Sequence, residues 1–282
     1  MYDKFRKAFK VSVPLVAVSS PDPGLFVAMA TGCLPSKTTV FGTEEAATAV
    51  VVWDAVRGLT LPPGASSEVA MRALARAAGM EPGDLIHPHI VLQFAWKLPA
   101  GSVLIMHNLD RYFDRADIQQ GVWNLRDEFK INRRMLAMVG VSVRLPASLR
   151  GDVLELTEPL PSLDEIQTHL GATLDGTTDD LSTAAKACQG FSLFGAEQAL
   201  LMNVNVDREI DVAGIWADKC ARINGVPGLK VATGAPYSSI AGISQIKKFV
   251  GQLMSGSRKP NVVVWVDEFE KAQMDEKDRL AA

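Results

Sequence analysis

Val262-Val263-Val264-Trp265-Val266-Asp267-Glu268-Phe269-Glu270-Lys271 is the stretch on which the reading of this chain turns. Consecutive apolar, mostly β-branched residues describe a strand buried on both faces, which is a feature of parallel sheets covered by helices on each side. Two carboxylates follow at once. In an open α/β sheet, ligands sit beyond the carboxyl ends of the strands, so Asp267 and Glu268 are placed to face such a crevice. The first acid would hold Mg²⁺ and the second would polarise a water attacking a γ-phosphate. The plainer alternative is a buried strand that ends in a solvated acidic turn.

An upstream stretch repeats the pattern. Val103-Leu104-Ile105-Met106-His107-Asn108-Leu109-Asp110-Arg111 aligns apolar run on apolar run, with Asp110 on Glu270 and Arg111 on Lys271. Where the later copy has Asp267 and Glu268, the earlier one has His107 and Asn108, which carry neither charge that a Mg²⁺ site needs. The later copy has the Walker B arrangement of nucleotide hydrolases, and the earlier one reads as its decayed duplicate.

The 282 residues, 48% of them hydrophobic, suffice for two domains with real cores. A net charge of −3 argues against a nucleic-acid-binding surface. Cys33, Cys188 and Cys220 are odd in number and far apart, which supports neither a disulfide framework nor a four-cysteine zinc site. No apolar run has the length of a membrane span, and the N-terminus lacks a signal-peptide core, so the expectation is a cytoplasmic protein with no membrane partner.

In order along the chain, residues 11–19 read as the first strand and residues 25–33 as a short helix. The loop between them, Ser20-Pro21-Asp22-Pro23-Gly24, is where a phosphate cradle would be expected. Its two prolines remove donor N–H groups and Asp22 would repel phosphate. Gly32-Cys33-Leu34-Pro35-Ser36-Lys37-Thr38 ends in a Lys-Thr pair but is one residue too short for a phosphate loop, so it reads as a connection. Strands are expected at residues 49–53, 103–107, 135–143 and 153–156, and helices from Ser66 or Ser67 to Ala78, at 90–97 and at 114–130. His87-Pro88-His89 supplies only half a metal site and reads as a loop or the entry to a helix. After Pro159-Leu160-Pro161, Ser162-Leu163-Asp164-Glu165 is a capping box that opens a helical segment. Further helices are expected at 180–189, 193–203 and 211–223, the last with Val212, Ile215, Trp216, Cys220 and Ile223 as one packing stripe. A Gly/Pro-punctuated linker over 225–234 precedes a helix with Ile246, Phe249, Val250 and Leu253 on one face.

This order of strands, helical segment and second start resembles AAA+ ATPases of the plastid open-reading-frame type and related phage and bacterial proteins, in which a degenerate first ATPase domain precedes an active one. The residues that carry the resemblance are Trp53-Asp54-Ala55-Val56-Arg57-Gly58-Leu59, Pro159 to Ile166, Gln189-Gly190-Phe191-Ser192, Ile240-Ala241-Gly242-Ile243 with Lys247, and Val262 to Lys271. It implies an α/β fold: a degenerate P-loop-NTPase-like parallel sheet over residues 1–160, a helical lid over 161–228, and the beginning of a second module over 229–282. It also implies ATP and Mg as cofactors, Glu268 as the catalytic acid, Asp267 as the metal and nucleotide ligand, and Ile240 and Gly242 beside the nucleotide. The partners it implies are further copies or other subunits of an AAA+ assembly.

Two departures shape the functional expectation. No Gly-Lys-Ser/Thr triplet occurs in the sequence, and the chain stops short of a second sensor strand, arginine finger or second lid. The expectation is therefore an AAA+ family protein that binds ATP weakly and hydrolyses it only when completed by a missing phosphate loop or a partner subunit. The competing expectation is a non-catalytic assembly or interaction subunit that keeps the fold. A metal-dependent nuclease or hydrolase built on Asp267, Glu268 and Glu270 is the third reading.

Overall fold

The computed structural model of the chain describes residues 1–40, 44–62, 67–174, 181–231 and 244–255. The chain divides into two units, Met1–Lys219 and Cys220–Ala282. The first opens with an amphipathic helix, α1 (Tyr2–Lys10), which buries Phe5, Ala8 and Phe9 at helical spacing. The first strand, β1, is Leu15–Ser19, shorter than the expected 11–19 because the α1 C-terminus and a turn at Ser12, with φ of 61°, take up the residues before it.

Helix α2 (Pro23–Cys33) follows, then a hairpin of β2 (Lys37–Val40) and β3 (Glu44–Ala47). This hairpin replaces the connection expected there. Lys37 and Thr38 pair with Ala47 and Ala46 in an antiparallel ladder, so the Lys-Thr pair belongs to a strand and not to a loop. Next come β4 (Val50–Asp54), β5 (Gly58–Thr60) and α3 (Glu68–Ala78). Gly79 ends α3 in the left-handed conformation, its N–H bonded back into the last turn. Ser67 holds the N-cap position, but its hydroxyl accepts from Val50 N–H at 2.7 Å and so ties α3 to β4 instead of capping the helix.

The core is completed by α4 (Pro88–Phe94), β6 (Val103–His107), α5 (Ala116–Ile131), β7 (Met135–Gly140) and β8 (Leu154–Thr157). The sheet order is β5-β4-β6-β7-β1-β8. All pairs are parallel except β4 with β5. Numbering the parallel strands in chain order (β1, β4, β6, β7, β8), the spatial sequence read from the β8 edge is fifth, first, fourth, third, second.

Period-two alternation explains why these runs are apolar throughout. Leu15, Ala17, Val51, Trp53, Leu104, Met106, Leu136 and Met138 pack on one face against α3, α4 and α5. Val16, Val18, Val50, Val52, Val103, Ile105, Ala137 and Val139 pack on the other against Phe5, Phe9, Phe26 and Ala30 of α1 and α2. Gly121 of α5 lies so close to Leu92 of α4 that a Cβ would stand 3.1 Å from the leucine, which lets the two helices cross closely.

A separate cluster forms the helical part, α6 (Leu163–Thr173), α7 (Leu181–Ala187), α8 (Leu193–Met202) and the start of α9 (Val212–Asn224). The capping box is present in full, with Ser162 and Glu165 exchanging hydrogen bonds. The stripe expected on α9 is mostly not packed: Ile215 is buried, whereas Trp216 is 48% exposed with the Lys219 ammonium over its ring. Lys219 also donates to the carbonyls of Ala187 and Gln189, which closes the C-terminal end of α7. Within the second unit, α10 (Ser244–Ser255) is described, with Phe249 exposed on its surface.

Candidate functional site

The carboxyl ends of β1, β4, β6 and β7 converge on one edge of the sheet, the place where an α/β fold of this kind binds ligands. The backbone stitches this edge together. Ser20 N–H donates to Gly140 O at 2.9 Å, Asn108 N–H to Val139 O at 2.8 Å, and Val143 N–H to the Ser19 hydroxyl at 3.0 Å.

After β1 the sequence-expected phosphate position is filled by the protein's own acids. Asp22 is the N-cap of α2 and accepts from Leu25 N–H at 3.1 Å. A helix N-terminus binds anions through such N–H groups, so here a carboxylate occupies the place of a phosphate oxygen. Pro23, the first helical residue, contributes no donor.

Ser20 is fully buried, and its hydroxyl accepts from Asp22 N–H at 3.0 Å while donating to Glu158 at 2.5 Å. The other oxygen of Glu158 accepts from the Tyr2 hydroxyl at 2.6 Å. Tyr2 stacks on Phe26 with ring centroids 5.7 Å apart. Burial, then the hydrogen bond and charge of Glu158, hold the Tyr2 hydroxyl well above its ordinary pKa, so it stays a donor. Three distant segments therefore meet at Glu158: the N-terminal helix, the loop after β1, and the segment that leaves β8.

Above this cluster lies a cleft of about 410 Å³ between core and lid. Its walls are apolar at Leu25, Met29, Leu160 and Leu193, and its polar rim comes from Asp22, Glu158, Glu165 and His169. No lysine or arginine side chain lines it among the described residues. These residues do not fit a nucleoside triphosphate: three carboxylates face the space where several phosphate charges would have to be neutralised.

The second part of the edge is formed by His107 and Asn108. His107 ends β6 and is half-buried, and Asn108 follows in the left-handed conformation with φ of 53°. Burial lowers the His107 pKa, Asp54 across the edge opposes that and Arg57 adds to it, so the ring is neutral at pH 7. Burial alone would raise the Asp54 carboxyl, but the N–H groups of Arg57 and Val56 and the Arg57 guanidinium hold it below its ordinary value. Gly140, at the end of β7, leaves room for Asn108 and Asp110, whose oxygens would stand 3.3 and 3.6 Å from a Cβ there. The strand ends at Gly140 and not at residue 143, and Met135–Gly140 carries no side-chain hydroxyl.

The other site residues expected from the sequence, Asp267, Glu268, Ile240 and Gly242, lie outside the described residues. Among the described residues there is no group of three or more metal-ligating side chains, and His87 and His89 flank the start of α4. Tyr2 and Glu158 escaped the sequence reading; the signal available was the amphipathic period of residues 2–10, which places Tyr2 on a helix but says nothing of its partner.

No family model matches the chain, and no curated protein matches it. Among solved structures, domain III of the replication initiation protein DnaA from Thermotoga maritima is similar at 12% identity, covering 76% of this chain and 87% of that one, with a TM-score of 0.44. A point mutant of RuvB from Thermotoga maritima is similar at 14% identity, covering 79% and 67%, with a TM-score of 0.43. The AAA domain of FIGL-1, solved in complex with ADP, is similar at 11% identity, covering 89% and 82%, with a TM-score of 0.36. Identities and scores at this level transfer no activity. The strand order and the helical segment that follows the sheet give this protein a P-loop-NTPase-like α/β fold.

Proposed function

We propose that the first unit is an AAA+-type module silenced for nucleotide, retained for assembly or interaction within an AAA+ complex. One observation carries this reading. The helix N-terminus that would receive phosphate is capped by Asp22, and the adjoining cleft presents Glu158 and Glu165 without a lysine or arginine side chain among the described residues.

On this reading residues 1–160 are the degenerate core, 161–228 the lid and 229–282 the start of a second module. Any ATP chemistry belongs to that module, with Asp267 as the Mg²⁺ ligand, Glu268 as the water-orienting acid, and Ile240 and Gly242 beside the nucleotide. Hard carboxylate oxygens suit Mg²⁺, which would supply charge neutralisation to the phosphates when bound. The lysine cradle must come from a partner subunit or from a phosphate loop other than these residues. Self-association or docking onto other AAA+ subunits follows as the mode of action, in a cytoplasmic setting that suits a sequence with three widely separated cysteines.

Titration calorimetry of the chain with Mg-ATP tests the reading. The expected result is no saturable binding through the micromolar range. Micromolar binding would overturn it. Survival of that binding in Asp267→Asn would locate the nucleotide in the first unit, and its loss would mean that the second module is complete on its own.

A further inference from the structure

The cleft between core and lid has a charge that suits the opposite of a phosphate ester. Asp22 is bonded by Leu25 N–H, Glu158 by the Tyr2 and Ser20 hydroxyls, and Glu165 by the Ser162 N–H and hydroxyl. Every one of these donors is neutral, so the hydrogen bonds orient the carboxylates and leave their charges uncompensated. Among the described residues none of the three forms an ion pair with a lysine or arginine. The His169 ring is engaged by Glu197 at 3.0 Å.

One positive group does approach. The Ser162 N–H and hydroxyl, and behind them the N-terminal ammonium, hold the Glu165 carboxyl below its ordinary pKa. Met1 lines the same cleft. Against that single positive charge stand the three carboxylates of Asp22, Glu158 and Glu165, so the cleft carries a net negative charge. Beyond the polar groups the wall is apolar and continues outward: Leu160 is 52% exposed and Met29 48% exposed at the rim. Apolar surface that spreads past the cavity mouth fits a ligand larger than the cavity, as a chain segment is.

We infer that this cleft receives an apolar segment of a partner polypeptide carrying one arginine or lysine, seated where a nucleotide would lie in a competent module. The inference rests on the nucleotide-silent reading of the first unit. The basic head is held among Asp22, Glu158 and Glu165, and the flanking apolar side chains cover Leu25, Met29, Leu160 and Leu193. A volume of about 410 Å³ admits one long side chain and part of a neighbour, within the range of ligand pockets.

The test uses the full chain and fluorescence anisotropy of a dye-labelled peptide Leu-Leu-Arg-Leu-Leu, beside its twin with neutral citrulline in place of arginine. The arginine peptide is expected to bind at least about tenfold more tightly, a difference of about 1.4 kcal/mol. The preference is expected to vanish in Asp22→Asn/Glu165→Gln. Asparagine still caps a helix and glutamine still closes a capping box, so the double variant loses charge while keeping its folded hydrogen bonds, which an unchanged melting curve verifies. Equal affinity for the two peptides, a preference unchanged in the double variant, or spermidine binding in the absence of peptide binding would each overturn the inference. Mg-ATP in the same assay separates the two readings. Displacement of bound peptide by micromolar ATP sinks the silent-module reading, whereas inert ATP with no peptide binding sinks this inference alone.

Discussion

Two glycines with the same backbone angle give a calibrated measurement of how β5 is held. Gly58, at the start of β5, has φ of 67°, and Gly79, after α3, has φ of 68°. An alanine at either position meets the left-handed penalty of roughly 1–2 kcal/mol. At Gly79 nothing else lies within 4 Å, so the loss should stop there. At Gly58 an added Cβ would stand 2.5 Å from Pro82 O and 2.8 Å from Gly83 O. Both obstacles are backbone, so no rotamer change relieves them. The 81–84 turn must move away, and Leu85, which accepts from the buried Trp53 indole N–H at 2.7 Å, moves with it. Exposing or lengthening that bond adds roughly 1–3 kcal/mol. Gly58→Ala is therefore expected to cost about 2–5 kcal/mol and Gly79→Ala about 1–2 kcal/mol. Urea denaturation followed by far-UV circular dichroism and by tryptophan fluorescence gives both values from the shift in midpoint. Equal losses for the two variants would refute the account of β5 clamped against the 81–84 turn.

Asp22→Ala should destabilise by about 0.5–2 kcal/mol and Asp22→Asn by only a few tenths, since asparagine caps as well as aspartate; equal losses in thermal denaturation would show that the carboxylate is not acting as a cap. Tyr2→Phe removes one of the two donors to Glu158 and should cost about 1 kcal/mol, the site being partly solvated; an unchanged urea midpoint would show that the hydroxyl is merely hydrated. The His107 pKa is lowered by folding, so the unfolded chain binds the proton more readily. Its contribution is present above the ordinary value of 6.5 and is lost as pH falls below it toward the folded pKa. Stability measured by urea midpoint between pH 7.5 and 5 should fall, and His107→Gln should flatten that slope; an unchanged slope would remove His107 from the explanation.

The sheet was legible because burial on both faces writes itself into sequence. Residues 103–107 and 135–140 are apolar almost without a break, and a strand of that kind has few other homes. The lid was legible for a different reason, since Ser162 and Glu165 encode a helix start within four residues. The three-residue β5 was not, because it exists only by pairing with β4 across a turn that lacks the usual Asn-Gly signal. The β2–β3 hairpin was equally hidden, because Lys37-Thr38-Thr39-Val40 and Glu44-Glu45-Ala46-Ala47 carry neither an apolar run nor a strict period-two alternation. Most of the cleft was unreadable in principle. Tyr2 and Glu158 are separated by 156 positions, and no local pattern says that two such residues will share a hydrogen bond. What could be read was its chemistry on one side, the poor anion-binding character of the 20–24 loop, and that is the half that Asp22 makes concrete.

The acid at the head of α2 also sets a direction on what this chain can become. A lysine placed alone in the 20–24 loop would meet Asp22 and Glu158 before it met any phosphate, and the resulting ion pairs would absorb its charge. Removing Asp22 alone leaves the helix end bare and the fold weaker. Neither single step leads toward nucleotide affinity, so acquiring it needs several replacements at once. The arrangement behaves as a ratchet: where a protein's own side chain fills the seat a ligand would need, the way to binding passes through variants that are worse at both tasks.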